Sequence, residues 1–504
     1  MIVIKMYGED YEQDIRPLIK AFYPQEELQI EKVAFMKAVD QLSPVSSETE
    51  LFLGFFLKQD GFSICLIGQG VKLSREHDFS QGHMSSDKLT RSIYRNELHR
   101  QTYDLLKEHT KHDLPWGTLT GIRPTKQVLE RLEIGESELT IREFLKSEYL
   151  CSDEKINLSL EVAKREHEIL DKMDYKSGYS VYVGIPFCPS TCNYCSFTSY
   201  PLGRFEHLVE PYLKALTKEI EYASRCLDKK LSTIYIGGGT PTTLSAKQLD
   251  YLLDTLARKF DQKDMVELTV EAGRPDSITR DKLQVLKDRG VDRISINPQS
   301  MRQKTLDLIG RHHTAQQIED AFYLAREIGH DNINMDIILG LSGENPEDVA
   351  YTLDKIKQMQ PDSLTVHTLS IKRAARLNTN SEYYADKQAT DVEQMLHKSV
   401  EFAKENNYLP YYLYRQKNMT ENLENVGYAH YGKEGIYNIL IMEEKQTILA
   451  LGAGGSSKFV FHDQNRIERV ENVKSVMDYV ERVDEMIQRK SDFLAAVREE
   501  GSRL

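Results

Sequence analysis

The spacing of apolar and polar positions changes character twice along the chain. In residues 1–110, short apolar runs at 2–6, 51–57 and 62–67 predict strands, the last two turning through Gln59-Asp60-Gly61. Positions 11–23 carry helical spacing that stops at Pro24. Together these make a small α/β unit. From about residue 89 to 172 the pattern is mostly helical, with one interruption at 114–126. That Gly- and Pro-rich stretch holds the only tryptophan, Trp116, together with Arg123 and Lys126. It reads as an ordered connector anchored by Trp116; a binding role is the alternative. The polar, glycine-bearing residues 171–178 mark a boundary.

A different rhythm begins at Ser180. Short β-branched runs at 182–185, 233–236, 267–271, 293–297, 333–339 and 363–367 alternate with helical stretches. One of these, near 206–225, places Leu208, Tyr212, Leu216 and Ile220 on one face. Such alternation predicts parallel βαβ units with right-handed crossovers, and six strands are too few to close an eight-stranded barrel. Past about Arg376 the rhythm breaks. A helix at 391–406 precedes apolar runs at 409–416, 437–442 and 447–451, which read as antiparallel strands, and amphipathic helices follow. The predicted class is α/β: a partial (β/α)6 barrel with an N-terminal α/β-plus-helical extension and a C-terminal α+β accessory domain. The expected segments are 1–110, a helical connector at 111–177, the barrel at 178–376, and 377–504.

Composition narrows the possibilities. The 504 residues are 40% hydrophobic and 28% charged, the balance of a soluble globular protein. No apolar run approaches the roughly 18 residues a membrane helix needs. No export signal opens the chain, so a cytoplasmic location without a membrane span is expected. A net charge of −13 argues against broad nucleic-acid binding, and it makes an acidic substrate depend on a local cluster of cations. Of the six cysteines, Cys188, Cys192 and Cys195 fall within eight residues, which fits one metal site in a reducing compartment rather than a disulfide scaffold. Cys65, Cys151 and Cys226 stand in apolar or helical surroundings and read as small buried hydrophobes.

The three clustered cysteines follow directly on the first barrel strand. Three thiolates on one tight loop can hold three irons of a cubane cluster and leave the fourth iron open. The competing reading, a structural zinc, needs a fourth cysteine or histidine, and none lies near the loop. In a parallel sheet the chemistry belongs at the carboxyl ends of the strands. The cysteine loop, Gly237-Gly238-Gly239-Thr240-Pro241, Glu271 and Gln299 all fall there. With the aromatic Tyr194 just before its last cysteine, the loop resembles that of the radical S-adenosylmethionine (SAM) enzymes. The resemblance implies a [4Fe-4S] cluster whose open iron binds the amino and carboxylate groups of SAM, and a one-electron cleavage that frees a 5′-deoxyadenosyl radical. It further implies that the Gly-rich loop meets the SAM amino group through exposed backbone and that Glu271 contacts SAM. Read from the residues alone, these are a tight turn and a solvated strand-end carboxylate.

The order of motifs is more specific. Tyr182-x-x-Ile185-Pro186-Phe187-Cys188, the Gly-rich loop, Glu271, Asn297-Pro298-Gln299-Ser300, Gly310-Arg311-His312-His313-Thr314 and Asn334-Met335-Asp336 follow in that order. This series is similar to the oxygen-independent coproporphyrinogen III dehydrogenases over about residues 180–460. The long amino-terminal part and residues 411–419 are similar to the branch called HemZ. The resemblance implies that Tyr182, Gly238 and Glu271 serve the cluster-bound SAM, and that Tyr194, Gly239, Thr240, Gln299, Arg311 and Asp336 serve a second one. From the residues, Arg311 and Asp336 suit a charged, ribose-bearing ligand or form an ion pair inside the barrel mouth.

The implied reaction is the oxidative decarboxylation of two propionates of coproporphyrinogen III, or a related tetrapyrrole, to vinyl groups in heme biosynthesis. An electron donor such as flavodoxin or ferredoxin is the implied partner. Lys372, Arg373, Arg376, Arg415 and Lys417 are candidate cations for the tetracarboxylate, or a solvated face. The family pattern is broken at Phe197, where those dehydrogenases carry another cysteine. Two other activities share this barrel: a heme chaperone, and a radical SAM methyltransferase or heme-opening enzyme. The histidine-bearing segments of the chaperones are matched here by Tyr437-Asn438 and Gly454-Gly455-Ser456, which removes the usual axial donors to heme and favours the enzyme.

Overall fold

The computed structural model describes residues 1–33, 51–68, 70–82, 90–121, 123–195, 199–369, 389–415 and 423–501. Contacts divide the chain into two units, residues 1–161 with 415–423, and residues 162–414 with 424–504.

The first unit contains β1 (Ile2–Tyr7), α1 (Glu12–Phe22), β2 (Leu28–Val33), β3 (Leu51–Leu57), β4 (Gly61–Gly68), β5 (Val71–Asp78), α2 (Arg91–Thr110), α3 (Lys126–Glu133) and α4 (Glu138–Tyr149). The boundary falls inside α5 (Asp153–Asp171). The sheet runs β2-β1-β3-β4-β5, parallel among the first three strands and antiparallel beyond. Its core joins Ile4, Leu53 and Phe55 to Ile15 and Leu18 of α1 and Leu98 of α2. The apolar pattern finds β1, β3 and β4. It misses β2 and β5, the two edge strands, whose charged side chains suit an unpaired edge.

Trp116 is the anchor its setting suggests. It is 1% exposed, its carbonyl accepts from the Cys151 thiol, and the Arg415 guanidinium lies 5.5 Å from its ring centre. Arg415 also donates to the Leu119 carbonyl. This corrects the expectation that Arg415 faces a substrate: it is buried within the first unit, where its flat cation packs on the indole. Lys372, Arg373, Arg376, Lys417 and Phe197 lie outside the described residues.

In the second unit, β6 (Gly178–Ile185) leads into the short β7 (Phe187–Cys188) and β8 (Tyr200–Pro201), then α6 (Leu202–Phe205) and α7 (Val209–Cys226). Next come β9 (Lys230–Gly238), α8 (Ala246–Lys259), β10 (Glu267–Glu271), α9 (Arg280–Asp288), β11 (Arg293–Ser295), α10 (Gln303–Leu308) and α11 (Ala315–Ile328). β12 (Ile333–Leu339), α12 (Pro346–Met359), β13 (Ser363–Thr368) and α13 (Ala389–Glu405) complete the alternation. β6 and β9–β13 are successive neighbours, and every pair is parallel. β13 does not pair with β6, so the barrel stays open, as expected. β6 and β12 are buried almost throughout, which is why they read as continuous apolar runs. Three of the intervening helices start at reciprocal caps on Ser245, Thr314 and Asn345.

The C-terminal α+β segment adds strands to both flanks of this sheet. β14 (Leu409–Tyr414) and β15 (Asn425–Ala429) extend it antiparallel beyond β13. After α14 (Ile436–Met442), β16 (Thr447–Leu451) runs parallel beside β6, followed by antiparallel β17 (Ser456–Phe461) and β18 (Arg466–Glu471). Two expectations are thereby corrected. Residues 437–442 are helical, because an apolar run of that length fits a buried helix as well as a strand. Residues 447–451 are antiparallel to β17, as read, but parallel to β6, where the partner of Thr447 is Tyr179, far beyond the reach of a local pattern. Among the described residues, no helix is long and apolar enough to cross a membrane.

α15 (Val476–Glu481) and α16 (Val483–Glu499) close the chain through a buried polar network. Glu219 of α7 accepts from Lys490 Nζ, Asn472 Nδ2 and the Gly452 N–H, each at 2.8 Å, and from the Tyr479 hydroxyl. Lys490 also reaches Asn472 Oδ1 at 2.6 Å. Both charged side chains are fully buried, so neither is tolerable without the other. Lys490→Met is expected to lower the unfolding free energy by about 3–5 kcal/mol, because it leaves a buried uncompensated carboxylate. Adding Glu219→Gln to that variant is expected to recover part of the loss, both read as shifts in the urea midpoint.

Candidate functional site

The cysteine loop is held by backbone bonds to the ends of neighbouring strands. The Gly239 N–H donates to the Ile185 carbonyl and the Thr240 N–H to the Phe187 carbonyl, both at 2.8 Å. A Cβ on Gly239 would stand 2.6 Å from the Phe187 oxygen and 2.9 Å from that of Ile185. Glycine is required at 239 by the cysteine strand itself. Gly238 has φ of 107°, a conformation that side-chain-bearing residues rarely adopt. On the opposite side, Asn193 donates from its backbone to the Ile309 carbonyl at 2.9 Å and from Nδ2 to that of Leu308 at 3.0 Å. Arg274 donates to the Ser190 carbonyl at 3.0 Å and to Cys192 Sγ at 3.6 Å, while the Thr240 hydroxyl donates to Cys188 Sγ at 3.6 Å.

Burial pushes the Cys188 thiol up to about 11, so Cys188 is protonated until a metal claims it. Burial likewise raises Cys65, Cys151 and Cys226, which are packed as small hydrophobes. Among the described residues no three His, Cys, Asp or Glu side chains gather around one ion. A cubane cluster makes a different demand, since each of its thiolates binds a separate iron. Three cysteines on one loop, with N–H and O–H groups aimed at their sulfurs, fit that donor set.

The remaining site residues line the strand ends. Glu271, closing β10, is pushed up to about 7 by burial and by the charge of Asp336, against a hydrogen bond from the Tyr235 hydroxyl. Tyr182, Tyr235 and Tyr437 stack beside it, with centroids 4.5 Å apart for Tyr235–Tyr437 and 6.3 and 6.4 Å for the other pairs. Asp336 of β12 accepts from Asn334 Nδ2 at 2.6 Å and lies 3.7 Å from His367 Nε2. Burial would raise Asp336, but His367 and Asn334 outweigh it and hold the carboxyl below its usual range.

Gln299 adopts φ of 63° and bonds through its backbone to the Asp336 carbonyl and the Ile338 N–H. Its side-chain oxygen is buried without a partner, as is Asn297 Oδ1. Arg311 donates to the Asn297 carbonyl at 2.6 Å and to the Tyr194 hydroxyl at 3.2 Å, leaving Nε unpartnered. The ion pair considered between Arg311 and Asp336 is not among its contacts; the basic side chain beside Asp336 is His367. Orphaned buried groups are costly unless a ligand satisfies them. Two acceptors and one donor at this mouth match the hydroxyl, amino and carboxylate groups of SAM.

Four contributors escape sequence reasoning. Tyr235 and Tyr437 look like core aromatics, and Arg274 beside Pro275 looks like a turn residue. His367 could have been found, since it sits at the carboxyl end of the last barrel strand.

Residues 182–356 match the model of the Radical SAM superfamily. Over 441 residues the chain is 42% identical to the oxygen-independent coproporphyrinogen-III oxidase-like protein HemZ of Bacillus subtilis (strain 168), covering 86% of this chain and 88% of that one. The chain belongs to the HemZ family of radical SAM proteins. A [4Fe-4S] cluster and SAM are therefore implied. This HemZ-family chain is also 36% identical over 195 residues to the heme chaperone HemW of Bacillus subtilis (strain 168), covering 38% of this chain and 51% of that one. It is 32% identical over 220 residues to the oxygen-independent coproporphyrinogen III oxidase of Escherichia coli (strain K12), covering 43% and 48%. The chain spans about half the length of these last two relatives. The solved structure of HemN, a coproporphyrinogen III oxidase from Escherichia coli, aligns with a TM-score of 0.49 at 22% identity, covering 63% of this chain and 72% of that one.

Gly239→Ala is expected to displace the cysteine loop, so that anaerobic reconstitution yields less iron per chain while the far-ultraviolet circular dichroism stays unchanged. Cys192→Ala is expected to abolish both the cluster absorbance and SAM cleavage; intact cleavage would refute the ligand assignment.

Proposed function

We propose that the protein oxidatively decarboxylates two propionates of coproporphyrinogen III to vinyl groups without oxygen, forming protoporphyrinogen IX for heme biosynthesis. The observation that carries this reading over heme carriage is Tyr437. Where the family resemblance would set a heme-ligating histidine, a buried phenol stacks on Tyr235, the hydrogen-bond partner of Glu271. The position walls a SAM site and offers no imidazole.

Cys188, Cys192 and Cys195 would hold the cluster. When bound, the cluster and SAM supply one-electron cleavage and a radical able to take hydrogen from a propionate β-carbon. Around them, ionised Glu271 would accept from the SAM amino group, Tyr182 and Gly238 would bound its pocket, and Asn297 Oδ1 would accept from a hydroxyl. Tyr194, Gly239, Thr240, Gln299 with its unpartnered Oε1, Arg311 and Asp336 would border the space for a second SAM. The Gly239 and Thr240 N–H groups are already taken by Ile185 and Phe187, so any contact from these two uses other atoms. His367, 27% exposed and backed by Asp336, is the hydrogen-bond donor for a propionate. Each propionate gives up a β-hydrogen, CO2 and one electron, the last passing to an external acceptor.

Heme carriage is the second reading, supported by the HemW likeness and by the imidazole that His367 presents at the mouth. Anaerobically reconstituted protein given SAM, a reductant and coproporphyrinogen III is expected to yield mono- and divinyl products. Stoichiometric heme binding without vinyl product would instead favour the chaperone, and methylated tetrapyrrole a methyltransferase. A pH dependence follows as well. The SAM amino group donates strongly to Glu271 only when that carboxyl is ionised, and it titrates at about 7. SAM affinity is therefore expected to rise with pH and level off above 7, losing up to about tenfold per unit below it. Equilibrium dialysis should show this slope in the native chain and its absence in Glu271→Gln.

A further inference from the structure

Arg274 lies three residues beyond β10 and is 3% exposed. One side of its guanidinium is fixed. Nε and one terminal nitrogen donate to the two carboxylate oxygens of Asp276 at 2.9 and 2.6 Å, a bidentate pair that fixes the plane. The other terminal nitrogen faces the cysteine loop, where it meets the Ser190 carbonyl and hydroxyl at 3.0 Å and Cys192 Sγ at 3.6 Å. His313 Nδ1 stands 3.7 Å from the same Asp276 carboxylate. Arg311 lies beside Cys192 as well.

The sulfurs are thus served unequally. Cys188 receives a neutral hydroxyl from Thr240, whereas Cys192 receives a guanidinium. A clamp for the loop would need only the two contacts to Ser190. The contact to sulfur places a buried positive charge against an atom whose electron density rises when the cluster is reduced. Adding one electron to an already anionic thiolate-bound cluster increases its negative charge. A fixed cation at hydrogen-bond distance, shielded from water, lowers that cost.

We propose that Arg274 sets the reduction potential of the cluster, its N–H···S bond to Cys192 making a low-potential one-electron donor sufficient to reduce it, with Asp276 moderating the effect as fixed counter-ion. Arg274 acts through the ligand and is a positioning and tuning residue. The proposal rests on Cys188, Cys192 and Cys195 being the cluster ligands and is independent of which tetrapyrrole is the substrate.

The test is a redox titration of the full-length, anaerobically reconstituted protein, following the reduced cluster by electron paramagnetic resonance with iron counted per chain. At a fixed solution potential, Arg274→Met is expected to lower the reduced-to-oxidised ratio about tenfold, a midpoint about 59 mV more negative for one electron. Arg274→Gln is expected to fall in the same direction, Arg274→Lys to stay near the native value, and Asp276→Asn to move the other way. Mere loosening of the loop would admit water, which favours the more highly charged reduced form and raises the midpoint. Unchanged midpoints in fully loaded Arg274→Met and Arg274→Gln, or a rise in either, would overturn the proposal. If Arg274→Met takes up no cluster, equal midpoints for Arg274→Lys and Arg274→Gln would overturn it. A Cys192→Ala variant that keeps the native signal would overturn the ligand assignment and the proposal together.

Discussion

Two backbone hydrogen bonds decide where this protein can do chemistry. They join Ile185 and Phe187, at the end of the first barrel strand, to Gly239 and Thr240, at the end of the second. Through them the cysteine-bearing loop and the Gly-rich loop become one piece of backbone with a fixed spacing. No side chain fits between the two, which is why the glycine at 239 answers first to the protein and only then to a ligand. Asn193 and Arg274 pin the same loop from the other side, so its cysteines are placed by at least three separate segments of chain. A radical-generating cluster needs such fixity, since the distance between its open iron and the bound cofactor sets the outcome of each cleavage.

The mouth of the barrel is organised by contrasts in charge. Two carboxylates share one water-poor space, and their surroundings push them in opposite directions. Glu271, where a phenol, a backbone N–H and the charge of Arg293 do not offset burial and the charge of Asp336, keeps its proton to about neutral pH. Asp336, paired with His367 and Asn334, stays ionised. The same mouth leaves Asn297 and Gln299 oxygens and an Arg311 nitrogen unmatched within the protein. An acidic chain overall therefore presents a mixed surface at the barrel mouth, with carboxylate, amide and guanidinium groups side by side.

Much of this arrangement is legible in the amino-acid order because local chemistry speaks for it. The six barrel strands are short β-branched runs, and a C-x3-C-x2-C loop leaves few options for its ligand. What stays hidden depends on distant partners. Residues 447–451 have strand composition, but only their neighbour, β6, makes them parallel. Residues 437–442 are apolar at every position but Asn438, so no period separates helix from strand. Arg415 looks like a surface cation beside Lys417, yet Trp116, some three hundred positions earlier, has claimed it. Arg274 gives no local sign of its reach to Cys192, since the two are joined only by folding.

The buried network around Glu219 has a temporal meaning. Its carboxylate holds the Gly452 N–H, and the Tyr212 hydroxyl beside it donates to the Gly184 carbonyl, one residue before the turn into the cysteine loop. Lys490, the cation that makes this buried carboxylate tolerable, sits on the helix that closes the chain. At 5–20 residues per second, a ribosome needs on the order of 15–60 s to travel from the cysteines to that lysine. Through that interval Glu219 lacks its counter-ion, whereas every segment that pins the cysteine loop, the last at Leu308 and Ile309, has already been made. The loop is thus specified by the barrel alone, and the closing helix completes the packing behind it.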